Sequence, residues 1–160
     1  QALHGLKIAP HDVFLDLGSG KGRAILIASQ FSFSRIIGIE HSSDLHLVAS
    51  KNVEIYKSRR KLRCQNITIK QDDARNYEFE DDVSVVFLFN PFQRASTQIV
   101  LNHLAQSLNR RPRKLRLIYA APEHADLALC IPELKEFQPP GAWDRDTYRF
   151  FETAEKPSVY

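Results

Sequence analysis

The sequence predicts an α/β protein: a doubly wound, mostly parallel sheet with helices on both faces. Three observations carry that expectation. Apolar runs of strand length alternate with segments of helical spacing along nearly the whole chain, which calls for crossover connections and hence parallel strands. The most apolar run, Val83 to Phe89, has only strand length, as befits a strand covered on both faces. A glycine-rich turn, Gly18-Ser19-Gly20-Lys21-Gly22, stands between the first strand and the first helix, where such sheets bind ligands.

The elements follow in order. Asp12 to Leu17 is a short apolar run ending at glycines and reads as a buried strand. Lys21 to Phe31 carries Ala24, Ile25, Ala28 and Phe31 at helical spacing. Arg35 to Glu40 is the second strand, and Ser43-Asp44 opens a long helix to about Arg60, with Ser42 or Ser43 as N-cap. Ile67 to Ile69 is a third, short strand, and Val83 to Phe89 the fourth. A helix over Ala95 to Asn109 puts Ile99, Val100, His103, Leu104 and Leu108 on one face. Leu115 to Ala120 is the fifth strand, with a further helix over Pro122 to Cys130. Pro139-Pro140-Gly141 reads as a loop, Thr147 to Glu152 as a strand, and Ser158-Val159-Tyr160 as the start of another.

The 160 residues fit a single domain over 1–160, with truncation at its N-terminus left open by the start at Gln1 and the lack of methionine. Apolar residues at 43% and charged residues at 26% are too balanced for a disordered chain. No run approaches the roughly 20 apolar residues of a membrane span, and the first residues lack the pattern of a signal peptide. Cys64 and Cys130 are far apart and outside any CxxC spacing. The expectation is a reduced, cytoplasmic protein with no disulfide framework, no bound metal and no membrane partner.

Ligands of such sheets bind beyond the carboxyl ends of the strands, so the residues at those ends are the candidates. The first strand ends in Asp16 and the glycine loop, whose Gly18, Ser19, Gly20 and Gly22 bring backbone close to a ligand. The second strand ends in Glu40, placed to accept hydrogen bonds from a ribose diol, and the third is followed by Asp72-Asp73-Ala74. Arg23 falls where the dinucleotide fingerprint has its third glycine, and no Gly-Lys-Ser/Thr closes the loop in the Walker manner. Carboxylates at three strand ends, Asp16, Glu40 and Asp73, disfavour a pyrophosphate. They suit S-adenosylmethionine, which carries a sulfonium, an ammonium and a single carboxylate that a helix N-terminus can receive.

Asp16 to Gly22 resembles the first motif of the class I, seven-strand S-adenosylmethionine-dependent methyltransferases, and the order of elements from Val13 to Ala120 is similar to that family's. The resemblance implies that Gly18 and Gly20 line the methionyl part, Asp16 meets its ammonium, and Glu40 holds the ribose. His41 would border the adenine, and Asp73 with Ala74 would read its edge. Lys21 departs from the pattern, a bulky cation with no assigned role. Asn90-Pro91-Phe92 resembles a shortened form of the Asn/Asp-Pro-Pro-aromatic motif of amine-directed methyltransferases, with Phe92 in the place of the second proline. Asn90 would border the cofactor and accept the N–H of an acceptor amine, Pro91 would stiffen the turn, and Phe92 would pack on the acceptor.

The implied function is methyl transfer to an amine nitrogen of a protein or small molecule. An inactive S-adenosylmethionine- or nucleotide-binding module, an RNA methyltransferase and an NAD-type oxidoreductase stay open as alternatives. Two basic clusters, Lys57-Arg59-Arg60-Lys61-Arg63 and Arg110-Arg111-Arg113-Lys114-Arg116, supply ten of the 22 basic residues and leave the rest of the chain acidic. Both fall at helix C-termini, remote from the ligand end, where they complement helix dipoles or dock an acidic partner or RNA. No histidine pair has metal-ligand spacing. His103 is expected to be structural. His124 and Glu123, with Trp143, Asp144 and Arg145, lie toward the acceptor side.

Overall fold

In the computed structural model, which describes residues 2–89, 92–141 and 144–154, a 3-10 turn at Ala2–Gly5 leads into a seven-stranded sheet. The elements are β1 (Val13–Leu17), α1 (Arg23–Ala28), β2 (Arg35–Glu40), α2 (Ser43–Arg59), β3 (Ile67–Gln71), β4 (Val83–Phe89), α3 (Arg94–Arg110), β5 (Arg116–Ala120), α4 (Ala125–Leu129), β6 (Leu134–Phe137) and β7 (Tyr148–Thr153). The strands run in the order β3-β2-β1-β4-β5-β7-β6. The first five are parallel, and β7 lies antiparallel between β5 and β6. β1 has β2 on one side and β4 on the other, so the strand order reverses there. A crevice opens beyond the carboxyl ends of β1 and β4.

Period-two alternation sorts the core onto two faces. Leu15, Leu17 and Ile37 pack with Val100, Leu101 and Leu104 of α3 and with α4. Phe14 and Ile36 face the other way, against Ile25 and Ala28 of α1, Val53 of α2 and the N-terminal Leu3. β1 and β5 are buried along their whole length, which is why they appear in the sequence as continuous apolar runs.

Several boundaries differ from expectation. α1 begins at Arg23, not Lys21, because Gly22 has φ 83 and caps the helix instead of entering it. α4 begins at Ala125 because Ala121, with φ 46, and Pro122 turn the chain first. β6 was not anticipated: it has four residues of mixed polarity and pairs only with β7. The strand expected over Thr147 to Glu152 is β7, shifted by one residue. Ser158 to Tyr160 lies outside the described residues.

At the amino ends of the strands a buried ion pair ties the sheet together. Asp12, 4% exposed, receives the Arg116 guanidinium at 3.2 Å, Ser84 Oγ at 2.8 Å and Ala9 N–H at 2.7 Å. Arg116 also donates to Lys7 O at 2.8 Å. One carboxylate thus links the N-terminal segment, β1, β4 and β5. Replacing Asp12 with Ala strands the guanidinium in the core, and such losses cost about 3–5 kcal/mol. Urea denaturation of Asp12→Ala is expected to show a loss of that size, with an unchanged slope against urea.

Candidate functional site

The glycine loop is a built turn. Gly18, Gly20 and Gly22 all have positive φ, at 75, 53 and 83, a region that side chains with a Cβ rarely occupy. Gly18 N and Ser19 N both donate to Ile39 O of β2 at 2.9 Å, and Gly22 N donates to Ser19 O at 2.8 Å. Behind the loop, α1 lies so close to β2 that a Cβ on Gly38 would stand 2.3 Å from Ile25 Cδ1. Lys21, unassigned from the sequence, acts through its backbone: its carbonyl accepts Asn52 Nδ2 of α2 at 3.0 Å, while its side chain is exposed.

Glu40 closes the site from the side of β2. Its Oε2 accepts Gly20 N–H at 2.7 Å and its Oε1 accepts Ser42 N–H at 2.8 Å. Ser42 in turn caps α2, accepting Leu45 N–H on its hydroxyl at 3.4 Å. Beneath the loop, Asp16 is 2% exposed. Burial, with the Glu40 charge adding to it, pushes its carboxyl up to about 7. Ser19 Oγ is also buried without a hydrogen-bond partner. At the end of β3, the Asp73 carboxylate is clasped by Arg75 Nε at 2.9 Å and by Arg75 N–H at 2.9 Å, and those bonds hold it below the usual carboxylate range.

These ends enclose a pocket of about 510 Å³, a size that suits a nucleoside-sized ligand. Of the residues anticipated from the sequence, Gly18, Gly20, Glu40, His41, Asp73, Ala74 and Phe92 line it together. Asp16, Ser19 and Gly22 do not: all three are buried, Asp16 beneath the loop and Ser19 and Gly22 within it. Asp73 lines the pocket but is no free acceptor, since Arg75 already occupies its oxygens. Asn90 and Pro91 lie outside the described residues, as does Trp143.

Six other residues line it, Ile39, Leu45, Asp72, Arg75, Gln93 and Ser96, of which Ile39 and Asp72 neighbour anticipated ones. Leu45 and Ser96 sit in the first turns of α2 and α3, just beyond strand ends, and that position was the available signal. Gln93 is the N-cap of α3. Arg75 follows Asp73 by two residues, a spacing that lets an aspartate bond the backbone ahead of it.

Beyond β5 a second hollow, about 460 Å³, is lined by Ala121, Glu123, Arg145 and Arg149 among others. Arg149 is held there by Glu136, with bonds of 2.8 and 2.6 Å. Asp144 is committed to its own turn, accepting Thr147 Oγ1 at 2.7 Å. An ion pair between Arg94 and Asp126 joins the start of α3 to α4. Among the described residues no group of His, Cys, Asp and Glu side chains could hold a metal ion, and no helix is long and apolar enough to cross a membrane.

The family described as histone methylation protein DOT1 matches residues 1–112. No protein of curated function matches the chain. Among solved structures, magnesium protoporphyrin IX methyltransferase (ChlM) from Synechocystis PCC 6803, with bound S-adenosylmethionine, is similar with a TM-score of 0.62 at 16% identity, over 87% of this chain and 67% of that one. An RNA methyltransferase from Salinibacter ruber, in complex with S-adenosyl-L-homocysteine, gives 0.61 at 20% identity over 98% and 90%. The YcgJ protein of Bacillus subtilis gives 0.59 at 19% over 79% of this chain, which spans 52% of that protein's length. At these identities the likeness establishes the fold.

The raised Asp16 carboxyl sets a pH dependence. The folded state favours the proton, so the contribution of Asp16 to stability is full below its ordinary value of 3.8 and is lost as pH rises through about 7. Between pH 5 and pH 8 that loss amounts to about 3 kcal/mol. Thermal melting without ligand should fall over this range in the wild-type protein. Asp16→Asn, which cannot ionise, should melt with a visibly flatter pH profile.

Proposed function

The chain belongs to the histone methylation protein DOT1 family of class I methyltransferases, and on that premise we propose that it transfers a methyl group from S-adenosylmethionine to an amine nitrogen of a protein or small molecule. The observation that carries the cofactor assignment is the buried carboxyl of Asp16. It has no hydrogen-bond partner among the described residues and lies beneath a loop whose next carboxylate is Glu40. An unpartnered acid under a glycine turn fits an ammonium-bearing ligand and opposes a pyrophosphate. Among the described residues the one arginine or lysine lining the pocket, Arg75, is paired with Asp73.

Each group then has a task. Glu40 spends one lone pair of each oxygen on Gly20 N–H and Ser42 N–H and keeps others for ribose hydroxyls. His41, Leu45 and Ala74 flank the place of the adenine, and the Asp73 backbone, not its carboxylate, is left to meet the base edge. Asp16 ionises as it meets the ammonium and releases its proton. When bound, S-adenosylmethionine supplies a methyl carbon activated by its sulfonium. The protein's remaining work is orientation, which contributes about 7–11 kcal/mol in favourable cases. Asn90 accepts the amine N–H and borders the cofactor, Pro91 stiffens the turn, and Phe92 packs on the acceptor's alkyl chain. Phe89, 59% exposed, adds apolar surface at the carboxyl end of β4. A desolvated amine needs no dedicated base. The free thiols of Cys64 and Cys130 support a reducing, cytoplasmic setting.

Glu40→Ala removes the ribose acceptor and frees the loop, and calorimetry with S-adenosylhomocysteine should show affinity reduced at least tenfold, with Glu40→Gln in between. Equal affinity in all three proteins would refute this cofactor placement. Incubating cell extract with labelled cofactor, with and without the protein, then identifies the acceptor by mass spectrometry. Label on an amine supports the proposal; binding with no transfer to any acceptor means a module that holds cofactor without catalysis.

A further inference from the structure

The two basic clusters look alike in sequence, and the fold treats them oppositely. In the second, Arg110 pairs with Asp81 at 3.0 Å and bonds Phe79 O at 2.9 Å. Arg113 donates to Val83 O at 2.7 Å and to Ser107 Oγ at 3.0 Å, and Arg116 is the buried partner of Asp12. These cations are consumed by the protein's own carbonyls and carboxylates. In the first cluster only Lys57 has an acidic neighbour, Glu54 at 3.7 Å. Arg59, Arg60, Lys61 and Arg63 are exposed, and among the described residues none has a side-chain partner.

The free cations are held on a firm support. α2 ends at Arg59, and Arg60 continues in an extended conformation with φ −136 and ψ 141. The next residues alternate: Leu62 and Cys64 are 7% and 3% exposed, so Lys61 and Arg63 face outward. Arg63 N–H and Cys64 N–H both donate to Ser29 O, at 3.0 and 3.1 Å, fastening the segment behind α1. Four positive charges are therefore presented together with little backbone entropy left to lose on binding.

We propose that this surface, formed by the C-terminal end of α2 and the loop to β3, docks the phosphate backbone of duplex nucleic acid. A protein partner would want an apolar anchor at the centre of the contact. Here the one exposed large apolar side chain on the second half of α2 is Ile55, at 39%. A single strand would want exposed aromatic platforms for its bases, and the one aromatic of this stretch, Tyr56, is half-buried. A duplex offers dense, regularly spaced phosphates and needs neither, because its affinity comes from cations that displace counterions. Three of the four free cations are arginines, whose planar fork matches phosphate oxygens. α2 has 17 residues, so its basic end stands about 25 Å from the pocket at its N-terminus. The surface recruits a macromolecule and takes no part in chemistry at the pocket.

The test uses the whole chain without cofactor, so its outcome does not depend on methyl transfer. Fluorescence anisotropy with a short DNA duplex of mixed sequence should show binding whose logarithm falls with log salt at a slope of about −3.6, the value for four phosphate contacts. The quadruple variant Arg59→Gln, Arg60→Gln, Lys61→Gln, Arg63→Gln should lose at least tenfold in affinity at low salt and nearly all of the slope. Arg111→Gln, an exposed change in the other cluster, should bind as wild type. Unchanged melting temperatures for both variants show that folding is not the cause. No salt-dependent binding, or a quadruple variant that binds like wild type, overturns the proposal. Tighter binding of a single-stranded oligonucleotide, or of polyglutamate at equal charge, overturns the duplex assignment in favour of that partner.

Discussion

Glu40 bears on two backbone N–H groups at once, Gly20 on one oxygen and Ser42 on the other, and most of the site depends on that bridge. The first bond holds the glycine turn over the end of β1. The second fixes the residue that caps α2, and so the direction in which α2 leaves the sheet. Without the carboxylate, Gly20 and Ser42 would each present an unpaired donor near the sheet edge, at a cost of about 1–3 kcal/mol for each group left buried. The same charge raises the proton affinity of Asp16 beneath it. One side chain thus holds the loop and the start of a helix, and adds to what burial already does to its neighbour's proton affinity.

The two ends of the sheet handle buried acids in contrasting ways. Asp12, at the amino ends, is fully engaged by an arginine, a serine hydroxyl and a backbone N–H, and it serves to hold strands together. Asp16, four residues on, is just as buried and has no such partners. An acid left in that state costs stability whenever it is ionised, and a fold retains such a cost most readily where a ligand relieves it. Other departures gather at the same end. The glycine turn, the buried Ser19 hydroxyl without a partner and the left-handed Ala121 all stand just beyond the carboxyl ends of strands.

Much of this was legible in the sequence for physical reasons. The central strands are covered on both faces and therefore read as unbroken apolar runs, and the positions of Gly18, Gly20, Glu40 and Ala74 follow from where those runs stop. β6 was illegible because Leu134 to Phe137 is short, mixed in polarity and paired at the margin of the sheet. α1 was overdrawn because helical spacing does not reveal that Gly22 stands in the left-handed region. The pairing of Asp73 with Arg75 was not legible, because a carboxylate at a strand end looks free until its hydrogen bonds are known. Asp16 could be picked out as a strand-end acid, but its depth beneath the loop, 2% exposed, shows only once the sheet is assembled.

The basic clusters carry the same lesson further. Charge and spacing are nearly identical in the two, and both straddle the end of a helix, so local sequence cannot tell a structural arginine from a free one. What separates them is the segment each meets. Arg110 and Arg113 face the stretch from Phe79 to Val83, whose carbonyls and Asp81 stand ready to accept. The cluster at the end of α2 is turned outward by Leu62 and Cys64, and among the described residues only its Lys57 meets an acid, Glu54. A helix dipole accounts for a cation or two at a helix end, but Lys61 and Arg63 lie past the end, in extended chain, where the dipole gives them no reason to gather. Their exposure on a fastened segment is the feature that a purely structural account leaves without a cause.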